Sequence, residues 1–307
     1  MQDGETTAMP MARHAKPGRA AWLGLDLAKA FTRNYGFLIG GAIILVFGGL
    51  ALLAPVLPLH DPYDFDLARR LIPPFWHENS DPRFLLGTDK LGRDLLSRLV
   101  YGARVSITVG LLAAVISGVV GTVLGLCAGY FGGRVDKLVM LLVNCRLALP
   151  VVLVALAVTV VVGTSLNMIT LLIGLLLWPR FTVVIRAATM QLRDREFILA
   201  ARALGCSNWH ILFREIMPNL SGTLFVIASL EMANAILLEA AISFLGFGAQ
   251  PPTSSWGLML ADSRDFILFS PWLVAMPGIA LTVLVLAINL VGDGLRDVLE
   301  GIARDRS

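Results

Sequence analysis

Apolar residues in this chain come in long runs rather than in stripes. Six runs, roughly 36–58, 105–129, 138–161, 166–188, 219–245 and 271–293, are almost free of charge. Crossing about 30 Å of hydrocarbon takes about 20 apolar residues. Inside lipid the backbone must satisfy its own polar groups, so each run is predicted as a helix. The pattern predicts an all-α membrane protein with six transmembrane helices. Gly121, Gly125 and Gly129 recur at four-residue spacing in the second run, which lets another helix approach closely. The first run begins near Tyr35 and is too long for a signal-peptide core, so it reads as an uncleaved span.

The polar stretches set the organisation: an N-terminal tail (1–34), the first helix with a long loop (35–104), five helices (105–293) enclosing a polar loop (189–217), and a tail (294–307). Orientation follows from the short ones. Arg134 and Lys137 lie in the 130–137 connection, and Arg193, Arg195, Arg202 and Arg214 in the 189–217 loop. Arg13, Lys16, Arg19, Lys29 and Arg33 lie in the first tail, and Arg296, Arg304 and Arg306 in the last. With six spans all four fall on one face, and the 162–165 turn opposite has no basic residue. Basic short loops stay inside, which predicts cytoplasmic termini and a cytoplasmic 189–217 loop. The 60–104 loop balances seven basic against seven acidic residues and is placed outside.

Composition agrees and removes several functions. Charged residues make up 15% of the chain, against about 25% in soluble domains. A net charge of +3 without a basic cluster leaves no nucleic-acid footprint. None of the four lysines precedes Ser or Thr, so there is no phosphate-cradling loop. The four histidines form no HExxH pair, and no serine sits in GxSxG. No metal or catalytic centre is expected, and any energy must come from a partner. Cys127, Cys145 and Cys206 read as small buried hydrophobes.

The loop from Asp194 to Pro218 has internal structure. Phe197, Ala200, Ala201 and Leu204 form one helical stripe, Gly205 breaks it, and Ser207 can cap a second helix bearing Trp209, Leu212, Phe213 and Ile216. Two short amphipathic helices, stopped at Pro218, make a rigid elbow that either docks on a soluble partner or lies on lipid. The loop resembles the "EAA" loop of ABC-importer permeases, matched by Ala200, Ala201, Gly205 and Pro218. The resemblance implies a coupling helix that docks in a groove of the ATPase. Where the pattern has its glutamate this chain has Leu199, so docking would lean on Arg202, Glu196 or the apolar face of the loop, which also carries Trp209.

Further strings are similar to C-type permeases of dipeptide, oligopeptide and nickel importers: Leu86 to Ser106, Ile236 to Gly246, Gln250 to Leu260 and Asn289 to Asp297. The resemblance implies a type I ABC-importer permease fold in a bacterial inner membrane. It also implies a homologous B-type permease, two ABC ATPases that bind the ATP and Mg, and an extracytoplasmic solute-binding protein, with no cofactor in this chain. Cargo would be a peptide or similar small polar solute; nickel chelates, opines and glutathione-like compounds stay open. A different class, a channel or proton-coupled carrier with Glu231 and Glu239 as relay, would work without ATPases.

Outside, Asp89, Arg93, Asp94 and Arg98 either receive the binding protein as a charged collar or pair internally to hold the loop. Pro251-Pro252 and Trp256 read as a stiff turn followed by an interfacial anchor. Inside the apolar runs lie Arg146, Arg180, Glu231 and Glu239, each costing about 2.5–3.5 kcal/mol at a helix centre if left to lipid. At about 1.5 Å per residue Arg146 and Glu231 sit roughly 12 Å and 18 Å from the cytoplasmic side. They either pair with each other or line the path and meet charged ends of the cargo. Related C-type subunits, by the resemblance, carry an acid at Asn144 and an apolar residue at Arg146, which shifts preference toward anionic cargo. Glu239, near the outer end of its span, is expected to act as a structural cap or gate contact.

Overall fold

The computed structural model describes residues 34–304, and their ordered segments are helical apart from one isolated bridge, Thr88 to Asp94. Residues 1–33 of the N-terminal tail and the last basic residue, Arg306, lie outside the described residues. Helix α1 (Tyr35–Leu53) starts where the Asn34 side chain accepts from the Phe37 N–H at 3.1 Å. It stops short of the predicted residue 58, because Pro55 lacks the N–H that would continue the ladder. Helix α2 (Leu95–Phe131) begins ten residues earlier than expected. Asp94 caps it, accepting from the Ser97 N–H at 2.9 Å, and the charged first turns had read as loop.

The third predicted span is corrected. It is two helices, α3 (Gly133–Leu147) and α4 (Val151–Val162), bent by 84°. Pro150 opens α4 and cannot donate back into α3, so the apolar run does not continue as one rod. Then come α5 (Leu166–Arg193), α6 (Glu196–Ala203), an irregular helical arm over 208–219, α7 (Ser221–Phe244), α8 (Trp256–Ser263) and α9 (Trp272–Arg304). Helices α1, α2, α5, α7 and α9 are long and apolar enough to cross a membrane, and the bent pair makes a sixth if it counts as one span.

The tightest seam runs between α2 and α5. A Cβ on Gly121 would lie 2.4 Å from the Phe181 Cβ, one on Gly125 2.8 Å from the Thr182 carbonyl, and one on Gly129 2.7 Å from the Arg186 carbonyl. The glycine ladder is therefore a close-packing surface, along which Thr182 Oγ1 also donates to the Gly121 carbonyl at 3.1 Å. On the outer side α8 tucks into the bundle. Trp256 is fully buried and donates from Nε1 to the Leu99 carbonyl at 2.9 Å, in a slot left open by Gly102. The expectation of an interfacial anchor is corrected: this indole is core, because a cross-chain glycine makes room for it. Among the cysteines, Cys127 and Cys206 are half-buried, whereas Cys145 is exposed on α3.

Candidate functional site

Three groups of residues carry chemistry, and the fold keeps them apart. The first is the 194–219 elbow. Helix α6 buries Ile198, and Gly205 turns the chain with φ +80°. Ser207 accepts from the His210 N–H at 3.2 Å and starts the arm. The arm runs through Asn208–His210, a π-helical turn at Ile211–Ile216, and Met217–Asn219. Pro218 therefore does not stop the helix: the preceding turn bonds one residue wider, with the Met217 N–H donating to the Leu212 carbonyl, and the chain runs on into α7.

The elbow's inner face is Ile198, Ile211, Leu212 and Ile216, packed on Leu126 and Tyr130 of α2 and Ile185 of α5. Tyr130 donates from its hydroxyl to Asn208 at 2.9 Å, and the Arg202 guanidinium lies 5.4 Å from its ring centre. Phe197, Leu199, Leu204 and Trp209 face outward, Leu204 85% exposed and Trp209 63%. Ala200 and Glu196 are exposed on the same piece, and Ala201 is half-buried. Nearby, Arg186 of α5 forks onto Asp136 of α3, and Arg193 donates to the Gly129 carbonyl at 3.0 Å, so the base of the elbow is tied to three helices.

The second group is on the outer side. Arg93 Nε donates to Asp89 at 2.7 Å, and Arg98 Nη1 bonds the same carboxylate oxygen. Both arginines also reach Asp262 of α8 at 3.4 Å, and Lys90 pairs with it at 2.9 Å. Asp89, Arg93, Asp94 and Arg98 are all buried. The charged-collar expectation is corrected: these groups pair inward and clamp the 60–94 segment, α2 and α8 together. Asp262 was not singled out from sequence, since it lies 164 residues from Arg98 and nothing local marks it. On the exposed part of this segment Arg83 chelates Asp81, holding that carboxyl at about 2.

The third group lies around the break between α3 and α4. Arg180 of α5 donates to Glu231 of α7 at 3.1 Å, and Asn234 donates to the same oxygen at 3.3 Å. The anticipated Arg146–Glu231 pair is not formed. Helix α3 ends one residue after Arg146, so its side chain reaches only the Leu149 carbonyl, at 3.4 Å. Glu231 is 1% exposed, whereas Arg180 is 62% exposed and faces a groove of about 750 Å³ lined also by Asn234, Asn289 and Asp293. A second hollow of about 300 Å³, behind Pro150, is shared by Arg146, Arg180 and Asn234. Asn144 is exposed on α3 and lines neither hollow. Asn234 was legible as the i+3 neighbour of Glu231; Asp293 and Asn289 were hidden in a motif string. Glu239 is apart from this groove, buried in α7 and accepting from Ser243 at 2.6 Å.

Residues 121–303 match the family described as binding-protein-dependent transport system inner membrane component, and residues 21–74 match the N-terminal TM domain of oligopeptide transport permease C. The di/tripeptide transport system permease protein DppC of Pseudomonas aeruginosa is 43% identical over 89% of this chain and 90% of its own length. The dipeptide transport system permease protein DppC of Haemophilus influenzae is 39% identical over 88% of this chain and 92% of its own. The glutathione transport system permease protein GsiD of Pectobacterium atrosepticum is 33% identical over 95% and 94%. Among solved structures, a chain of the MetNI methionine ABC transporter in inward-facing conformations superposes with a TM-score of 0.53 at 18% identity, covering 66% of this chain and 96% of that one. That likeness concerns the fold.

Proposed function

This chain belongs to the inner-membrane components of binding-protein-dependent transport systems, and from that premise we propose that it is the C-type permease subunit of an ATP-driven peptide importer. It spans a bacterial inner membrane several times and works by alternating access beside a homologous B-type permease. Two ABC ATPases bind ATP and Mg on the cytoplasmic side, and a solute-binding protein delivers cargo from outside; this chain carries out no catalytic step itself. The names of the relatives support di- and oligopeptides as cargo, with the glutathione permease relative favouring a range that includes that tripeptide.

The observation that carries the reading is the two-faced elbow. Its outer face is apolar and exposed, and its inner face is bolted to α2 and α5. A partner closing on Leu204 and Trp209 would push both helices at once, because the glycine seam leaves no slack between them. Arg180 on α5, and with it one wall of the groove, would move in the same step. Leu199, half-exposed on that outer face, makes the docking ridge apolar where the motif has an acid.

The test is reconstitution. Proteoliposomes holding both permeases, both ATPases and the loaded binding protein are expected to accumulate radiolabelled dipeptide only with ATP inside. Uptake by the permeases without ATPases would establish a self-sufficient carrier or channel instead. Leu204→Glu is expected to reduce co-purifying ATPase at least tenfold, since even one unpaired polar group buried in an apolar contact costs about 1–3 kcal/mol and a charge more.

A further inference from the structure

We infer that the break between α3 and α4 is a carboxylate-binding station on the cargo path, formed by Arg146 and Arg180 with Asn234. This rests on the importer reading and names the cargo chemistry at one point of its groove.

The argument starts from pairing. Among the described residues no carboxylate lies within 4.0 Å of Arg146. Its Nε is shielded yet has no hydrogen-bond partner, and its only bond is the long one to the Leu149 carbonyl. A guanidinium in an apolar span is expensive, and such residues mark substrate pathways when they are not neutralised within the protein. Arg180 has one partner, Glu231, and most of its fork faces the groove. That glutamate uses one oxygen for both Arg180 and Asn234, while its other oxygen is buried and has no partner. The smaller hollow thus has two guanidiniums and an amide on its wall and no acid among its lining residues.

Geometry suits a carboxylate. Guanidinium donors lie in a planar fork that a carboxylate meets with two parallel bonds. The hollow shares Arg180 and Asn234 with the larger groove, so a group bound there remains in continuity with the path. Asp293 also lines the larger groove and supplies an acid for the ammonium group of a zwitterion. Arg146 also sits beside the last carbonyls of α3, where a cation is favoured by the helix dipole. A capping role of that kind would affect all cargo equally, which makes the two roles separable.

The experiment uses the complete reconstituted complex, with the binding protein loaded to equal occupancy by a dipeptide as its free acid or as its C-terminal amide, and uptake expressed per assembled complex. Arg146→Gln is expected to lower the acid-to-amide uptake ratio about tenfold, the scale of one charge-assisted hydrogen bond, and Arg146→Lys to restore most of it. An unchanged ratio in Arg146→Gln would overturn the station while leaving the importer reading intact, because the wild type still transports. If Arg146→Gln does not assemble, the wild type decides: a C-terminally amidated dipeptide at equal occupancy should enter about tenfold more slowly than the free acid. Equal rates overturn the proposal. Absence of any ATP-dependent dipeptide uptake in the wild type would remove the importer reading and the station together.

Discussion

The clamp around Asp89 and the groove around Arg180 are made largely from the same residue types and solve opposite problems. In the clamp, Asp89, Arg93, Arg98 and Asp262 satisfy one another across three segments, and all but Asp262 are buried. In the smaller hollow Arg146 has no acid, and in the groove beside it Arg180 is largely exposed. Charge that is fully paired holds structure; charge left under-paired in an apolar span is available to something that passes.

That comparison can be broken in order of expected effect. Asp89→Ala leaves two buried guanidiniums with one distant acid, and should cost about 3–5 kcal/mol, read as a lowered unfolding midpoint in detergent. Gly121→Val should cost about 1–3 kcal/mol by overpacking onto Phe181, and because Arg180 is the next residue, it should also disturb peptide uptake where Asp89→Ala acts through stability. Glu231→Gln should change stability by less than about 1 kcal/mol, since its partner is largely exposed; a loss as large as that of Asp89→Ala would erase the distinction. Lys90→Ala, at the half-exposed edge of the clamp, should fall within about 0.5 kcal/mol.

Much of the fold was legible because lipid leaves so few options: uncharged runs of this length become helices. The elbow was legible too, since Gly205 and Ser207 signal their own turn and cap. What could not be read were choices made by contacts distant in sequence. Trp256 points inward only because Gly102, 154 positions earlier, leaves room, and Arg98 finds an acid in another helix. The break at Pro150 was visible as a residue, yet the apolar run around it hid the 84° turn. That turn is also why Arg146 misses Glu231, and so why the predicted pair became a groove wall.

The π-helical turn at Ile211–Ile216 has one further consequence. A helix carrying one surplus residue is out of phase with itself, by about 100° at 3.6 residues per turn. The residues ahead of the turn can therefore present Trp209 outward while those behind it enter α7 on a different azimuth. The arm and the span it leads into, separated only by a turn at Leu220, thus have two independent clock settings. What a partner grips and what α7 shows to the groove can thus drift apart in evolution without a loop between them.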